Sequence, residues 1–370
     1  MKGRKYIGLL AGMLLIMPVM AKPAKATKGI TERVVYYPSI DQFGDTLTLS
    51  GKLTIPQNKT PKGIILIPHY TITAESEVPS NKLTYEASYF KDDYILVMPD
   101  YIGYGITKDR VHPYLHGTLT ARNCVDMYLH VQPMLDSLQL GIATDSLYMV
   151  GVSQGGAAAL WTLKLIEEEY AGRLHVIRCF AGSGPYDVAV TYDDGMQTNY
   201  TFLPLTIALL TVGTDAAYGL QLNTDSLFTR PMRKMYKRYI EPKKEPITSL
   251  FFKMPNHKVS YWMTPYGMDK TRPESKRMYE GLLRSSLVHY PLEDDPHPSD
   301  SIVPDWTPRT PLYIFHSTKD DVVTPHCVYH LQRRYPDEPN IIYDIDNYGG
   351  HLKSIYTFYP KVKKMLDAEK

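Results

Sequence analysis

A chain of 370 residues with 44% hydrophobic and 22% charged side chains has a globular composition and enough apolar surface for a sizeable core, which excludes a disordered tail, a fibre and a single small binding module. At about 100–200 residues per domain it holds two domains, or one large α/β domain with a long insertion. The formal charge is +2, from 41 basic and 39 acidic residues, and Lys2, Arg4 and Lys5 supply three of the basic ones, so from residue 22 onward 38 face 39 and the balance is −1. Such a balance speaks against a nucleic-acid partner, which needs clustered positive charge.

The three N-terminal cations precede an apolar run at residues 7–20, shorter than the roughly 18 or more residues of a membrane span. With small residues following it, the segment reads as a secretory signal peptide over residues 1–21, cleaved after Ala21 or as late as Ala26; the alternative is an uncleaved N-terminal anchor. A periplasmic or extracellular location is expected, with no transmembrane span in the mature chain. Cys124, Cys179 and Cys327 are an odd set that forms at most one disulfide, so the fold is not a disulfide scaffold.

In chain order, residues 31–38 and 47–56 read as an antiparallel strand pair joined through Gly44 and Asp45. Residues 63–68 and 93–99 are continuous apolar runs ending in Pro, as buried strands are, with a helix at 80–90 between them. A helix at 119–138, a strand at 146–152 and a helix at 154–170 follow, the last with three consecutive alanines near its start. Strands at 175–181, 311–316 and 340–346 and a final helix at 352–366 continue the alternation of a mainly parallel sheet covered by helices. Residues 185–309, rich in Tyr, Met and Pro, break this rhythm and read as an insertion between core segments 27–184 and 310–370. Its apolar stretch at 203–212 is too short to cross a bilayer and reads as a buried helix rather than a lipid-contacting lid.

Between the strand at 146–152 and the helix at 154–170 stands Gly151-Val152-Ser153-Gln154-Gly155, a G-x-S-x-G pattern. A serine hydroxyl is a useful nucleophile only when exposed beside a base, and a tight turn between a buried strand and a helix pushes it out at the strand's C-terminal edge. The base needs an orienting acid. Asp320 follows the strand at 311–316, and His351 follows Gly349 and Gly350 after the last predicted strand, so the chain order Ser153, Asp320, His351 suits one sheet edge. Asp321 is the adjacent competitor for the acid. Asp187 is a more distant one, with capping of the insertion's first turn as its alternative role.

These features resemble the α/β-hydrolase superfamily, and within it secreted lipases and esterases with a large inserted cap. The resemblance rests on the Gly151 to Gly156 elbow, the Asp100-Tyr101-Ile102-Gly103-Tyr104-Gly105 turn, the acid loop from His316 to Val323, Gly350-His351 and Gly184-Pro185-Tyr186-Asp187. It implies a mainly parallel eight-stranded sheet flanked by helices with a mostly helical cap at 185–309. It also implies a nucleophile at Ser153, a base at His351, an acid at Asp320, and an oxyanion hole using the backbone N–H of Gln154. The second oxyanion donor would come from His69-Tyr70-Thr71, where many relatives have His-Gly; Tyr70 and Thr71 both remain candidates, Thr71 preferred. The implied activity is hydrolysis of small-molecule or lipid carboxylic esters through an acyl-enzyme, with no cofactor and no metal. The alternatives are a serine peptidase of prolyl-oligopeptidase type, disfavoured because only some 30–50 residues precede the first core strands, and a non-catalytic ligand-binding protein on the same fold.

Three further groups read as structural. His326 and His330 with Cys327 have ligand-like helical spacing but no accompanying cluster, and are assigned to a half-exposed helix face. His112 and His116 flank Pro113, which spoils a helical pair. Glu167, Glu168 and Glu169 read as a solvated helix end.

Overall fold

The computed structural model describes residues 25–27, 29–57 and 59–369. The expected leader, residues 1–21, lies outside the described residues, and the later cleavage position falls in the first strand. Nine strands form one sheet: β1 (Lys25–Thr27), β2 (Ile30–Ile40), β3 (Thr46–Pro56), β4 (Ile64–Leu66), β5 (Ile95–Pro99), β6 (Ser146–Val152), β7 (His175–Gly182), β8 (Leu312–Ser317) and β9 (Ile341–Asp346). Their order is β1-β2-β3-β5-β4-β6-β7-β8-β9; the first three pairings are antiparallel and the other five parallel. This is the eight-stranded, mainly parallel sheet expected, with the short β1 added at its edge.

Every residue of β4, β5 and β8 is buried, because helices cover both faces of the sheet. Side-chain alternation divides the strands between two cores. Ile64, Leu66, Ile95, Val97, Leu147, Met149, Leu312 and Ile314 pack on one face with the helices Gly117–Ser137 and Gln154–Leu165. Ile65, Leu96, Met98, Val150, Val152, Tyr313 and Phe315 face Phe358, Tyr359, Val362 and Leu366 of the closing helix His351–Ala368. Burial of each such side chain contributes roughly 1.5–3 kcal/mol, so the two cores fix the sheet and hence the loops at its C-terminal edge.

The helix expected at 80–90 is only Ala87–Phe90. Before it the chain runs through turns: the N–H groups of Asn81 and Lys82 bond the Val78 carbonyl, and that of Ser80 donates to Asp100 Oδ1 at 2.8 Å. The helix from Gln154 widens into a π turn at Ile166–Tyr170, and the apolar stretch of the insertion becomes the helix Leu205–Tyr218.

Residues 188–282 are mostly helical and share a separate apolar cluster with Tyr114 and Leu115. From Leu287 the chain returns to the sheet, where Leu287, Val288, Tyr290 and Trp306 join the first core. Here Glu167 corrects its assignment to a solvated face. It is buried and accepts from Trp306 Nε1 at 2.9 Å, from the Thr310 N–H at 2.8 Å and from the Thr310 hydroxyl at 2.7 Å, tying the returning segment to the core. Glu168 and Glu169 are exposed. All three cysteines are buried and free, so the one disulfide that their number permitted is not formed. Among the described residues no helix is long and apolar enough to cross a membrane, and no group of three or more His, Cys, Asp and Glu is arranged to hold a metal ion.

Candidate active site

The parallel strands end at one edge, and the loops after β4, β6, β8 and β9 meet there. Ser153 sits between β6 and the helix Gln154–Leu165 with φ 57 and ψ −125, a strained conformation for a residue with a Cβ. Two close approaches hold it: a Cβ on Gly155 would collide with the Pro68 carbonyl and one on Gly151 with the Gly155 carbonyl. The turn therefore requires glycine on both sides of the serine.

His351 Nε2 is 2.9 Å from Ser153 Oγ, and His351 Nδ1 is 2.7 Å from Asp320 Oδ2. The other Asp320 oxygen accepts the backbone N–H groups of Val322 at 3.0 Å and Val323 at 2.9 Å, which fixes the carboxylate plane. Burial alone would raise the Asp320 pKa, but the facing imidazole of His351, its hydrogen bond and the Val323 N–H outweigh it and hold the group below the usual carboxylate range. All three side chains are buried or nearly so; Ser153 is 7% exposed.

The structure separates the other two acids from the imidazole. Asp321 Oδ1 accepts the backbone N–H of His351 at 2.9 Å, countering the positive end of the closing helix rather than orienting the ring. Asp187 caps the helix Val188–Thr198 through the Val190 N–H at 2.9 Å. Its carboxylate also takes His289 Nδ1 at 2.9 Å and His330 Nδ1 at 2.7 Å, which keep its pKa low against the cost of burial. The face carrying Cys327 and His330 is thus buried rather than half-exposed: Cys327 Sγ donates to the Asp187 carbonyl, and Asp187 draws both residues inward.

At the start of the helix from Gln154, the first N–H groups have no intrahelical acceptor and the helix dipole favours negative charge beside Ser153. Tyr70 and Thr71 border the same cavity as Ser153 and His351, about 250 Å³ in volume. Its walls include Tyr114, Leu203, Leu210, Ile247 and Ile355, so the helical insertion forms part of its roof. No Asp, Glu, Lys or Arg lines it. Hollows of about 700 and 1010 Å³ elsewhere touch neither Ser153 nor His351, so the hydrogen-bonded chain and not size marks the site.

No protein-family model matches the chain, and no curated protein matches it in sequence. Solved structures do match. The rice cell wall degrading esterase LipA from Xanthomonas oryzae superposes with a TM-score of 0.73 at 20% identity, over 91% of this chain and 89% of that one. A Legionella pneumophila protein gives 0.75 at 18%, over 92% and 88%, and Candida antarctica lipase A in its closed state 0.66 at 13%, over 95% and 82%. The chain has the α/β-hydrolase fold. Within that fold Ser153 occupies the strand-to-helix turn at the top of the sheet, and the carboxylate and imidazole loops follow β8 and β9.

Sequence spacing missed three buried groups around this site. His69 lies beside the 70–71 loop, with Nδ1 at 2.6 Å from the Tyr70 carbonyl, and burial lowers its pKa to about 4. His112 contacts the Gln154 side chain. Among the described residues neither carboxylate oxygen of the fully buried Glu86 has a hydrogen-bond partner, and burial raises its pKa from 4.5 to about 7. Its only sequence signal is a carboxylate among tyrosines.

Glu86 gives the fold a pH dependence of defined sign. The unfolded chain ionises this carboxyl near 4.5 and the folded chain near 7, so the stability it contributes is fully present below pH 4 and lost as pH rises to 7. The loss is roughly 3 kcal/mol. Glu86→Gln is expected to remove that part of the slope, so that urea unfolding at pH 8 shows a more stable variant while pH 4 shows little change. An unchanged slope would show that the buried carboxyl does not titrate in this window.

Proposed function

We propose that this is an exported serine hydrolase of carboxylic esters, with Ser153 as nucleophile, His351 as base and Asp320 as orienting acid. The observation that carries the reading is the continuous chain from Asp320 Oδ2 through His351 to Ser153 Oγ, with links of 2.7 and 2.9 Å, opening on a cavity. His351 takes the Ser153 proton as the hydroxyl attacks the ester carbonyl, then gives it to the leaving alcohol; water repeats the sequence to release the acid. The Gln154 N–H and one from the 70–71 loop receive the developing oxyanion. Of the two candidates for the second donor, Thr71 is preferred to Tyr70; both border the cavity beside Ser153. The similar esterase and lipase structures agree with this reading, and export rests on the signal peptide expected from the sequence at residues 1–21.

An uncharged, mostly apolar cavity suits an ester with uncharged substituents better than a peptide amino terminus, which needs a carboxylate partner. At about 250 Å³ it lies just below the range of pockets for drug-sized ligands, about 300–1,000 Å³. A p-nitrophenyl ester series is therefore expected to favour butyrate over palmitate at least tenfold in kcat/KM, with Ala-Pro p-nitroanilide unreactive. Cleavage of the anilide ahead of both esters would favour a peptidase, and a rise toward palmitate would require a longer acyl channel than the cavity offers.

A further inference from the structure

Behind the serine turn, side chains from three loops form one buried stack. Gln154 Nε2 lies 2.7 Å from His112 Nε2, and His112 Nδ1 lies 2.7 Å from the Ile102 carbonyl. The His112 ring is parallel to that of Tyr101, at 5.9 Å and 5°, and the Tyr101 ring lies against that of His69 at 4.0 Å and 32°. The Tyr101 hydroxyl donates to the His69 carbonyl at 3.3 Å. Tyr101 has φ 67, an uncommon conformation for a bulky residue, which its surroundings must hold in place. One end of this stack therefore touches Gln154, and the other precedes Tyr70 and Thr71.

We propose that His112 is a positioning residue for the oxyanion site, holding the Gln154 side chain and, through Tyr101 and His69, setting the spacing between the Gln154 N–H and the 70–71 loop. This rests on the ester-hydrolase reading and adds to it a residue that touches neither substrate nor the reacting atoms. The proton placement is determined. Nδ1 carries the hydrogen and donates to the Ile102 carbonyl, so Nε2 is free to accept from the Gln154 amide. Burial lowers the His112 pKa to about 3, so the ring keeps this neutral form at the pH of a histidine-assisted reaction. Gln154 is the first residue of its helix and is 2% exposed, so displacement of its side chain shifts the backbone N–H attached to it. A misplacement near 1 Å costs about a hundredfold in rate.

The test compares the wild type with His112→Ala, Gln154→Leu and the double variant in p-nitrophenyl butyrate hydrolysis, in affinity for an alkylboronic acid that forms a tetrahedral adduct on Ser153, and in Tm. Both single variants are expected to lose ten- to hundredfold in kcat and in boronate affinity together, with KM within threefold. The double variant should be no worse than the poorer single one, because both changes break the same link. A merely structural role would lower Tm without moving kcat and boronate affinity in parallel. Additive losses, or kcat within twofold of wild type in Gln154→Leu, would overturn the proposal, and the latter variant keeps the ring stack if His112→Ala fails to fold. A folded wild type without ester hydrolysis would instead overturn the underlying reading, and this inference with it.

Discussion

Ser153→Ala is expected to lower kcat for p-nitrophenyl butyrate by about 10⁶, because a triad that has lost its nucleophile retains only the contribution of binding and oxyanion stabilisation. The fold should survive. Among the described residues the Ser153 hydroxyl bonds only to His351, so its loss costs about 1 kcal/mol, or a few degrees in Tm. Alanine keeps the Cβ and with it the strain at φ 57. Ser153→Gly removes both hydroxyl and strain, and is expected to be equally inactive but more stable than the alanine variant by about 1 kcal/mol. Equal stability of the two would mean that the turn is unstrained; wild-type turnover in either would remove Ser153 from the reaction.

Asp320→Asn is expected to lower kcat by about 10⁴ with little change in fold. The asparagine oxygen can still accept the Val322 and Val323 N–H groups that anchor Asp320 Oδ1. Its amide nitrogen then faces His351 Nδ1, which must become the acceptor, so the ring proton moves to Nε2 and blocks uptake of the Ser153 proton. Asp321→Asn should cost less than tenfold, since Asp321 receives only the His351 backbone N–H and an amide oxygen accepts it equally. A larger loss in Asp321→Asn than in Asp320→Asn would exchange the roles of the two acids.

What could be read in advance was local. Residues 146–152 are a strand with the expected bounds, because an apolar run ends at a glycine-flanked turn and nothing distant competes for its backbone. The loops carrying Ser153, Asp320 and His351 were legible for the same reason, as each follows a buried strand. The helix at 80–90 was legible only in its last turn, Ala87–Phe90; the start of the segment is anchored through the Ser80 N–H to Asp100, 20 residues further on. Glu167 looked solvated within its acidic run; its partners Trp306 and Thr310 lie some 140 residues away. His112 reads locally as half of a spoiled helical pair, whereas its partner Gln154 is 42 residues further on. Buried polar groups are specified by tertiary partners, which local periodicity does not encode.

The most direct test of the central claim is reaction of the purified chain with a serine-directed fluorophosphonate, mapped by peptide mass spectrometry. A single adduct on Ser153, abolished by Ser153→Ala and strongly slowed by Asp320→Asn, is the expected result. A folded chain left unlabelled, or labelled at another serine, would contradict the account.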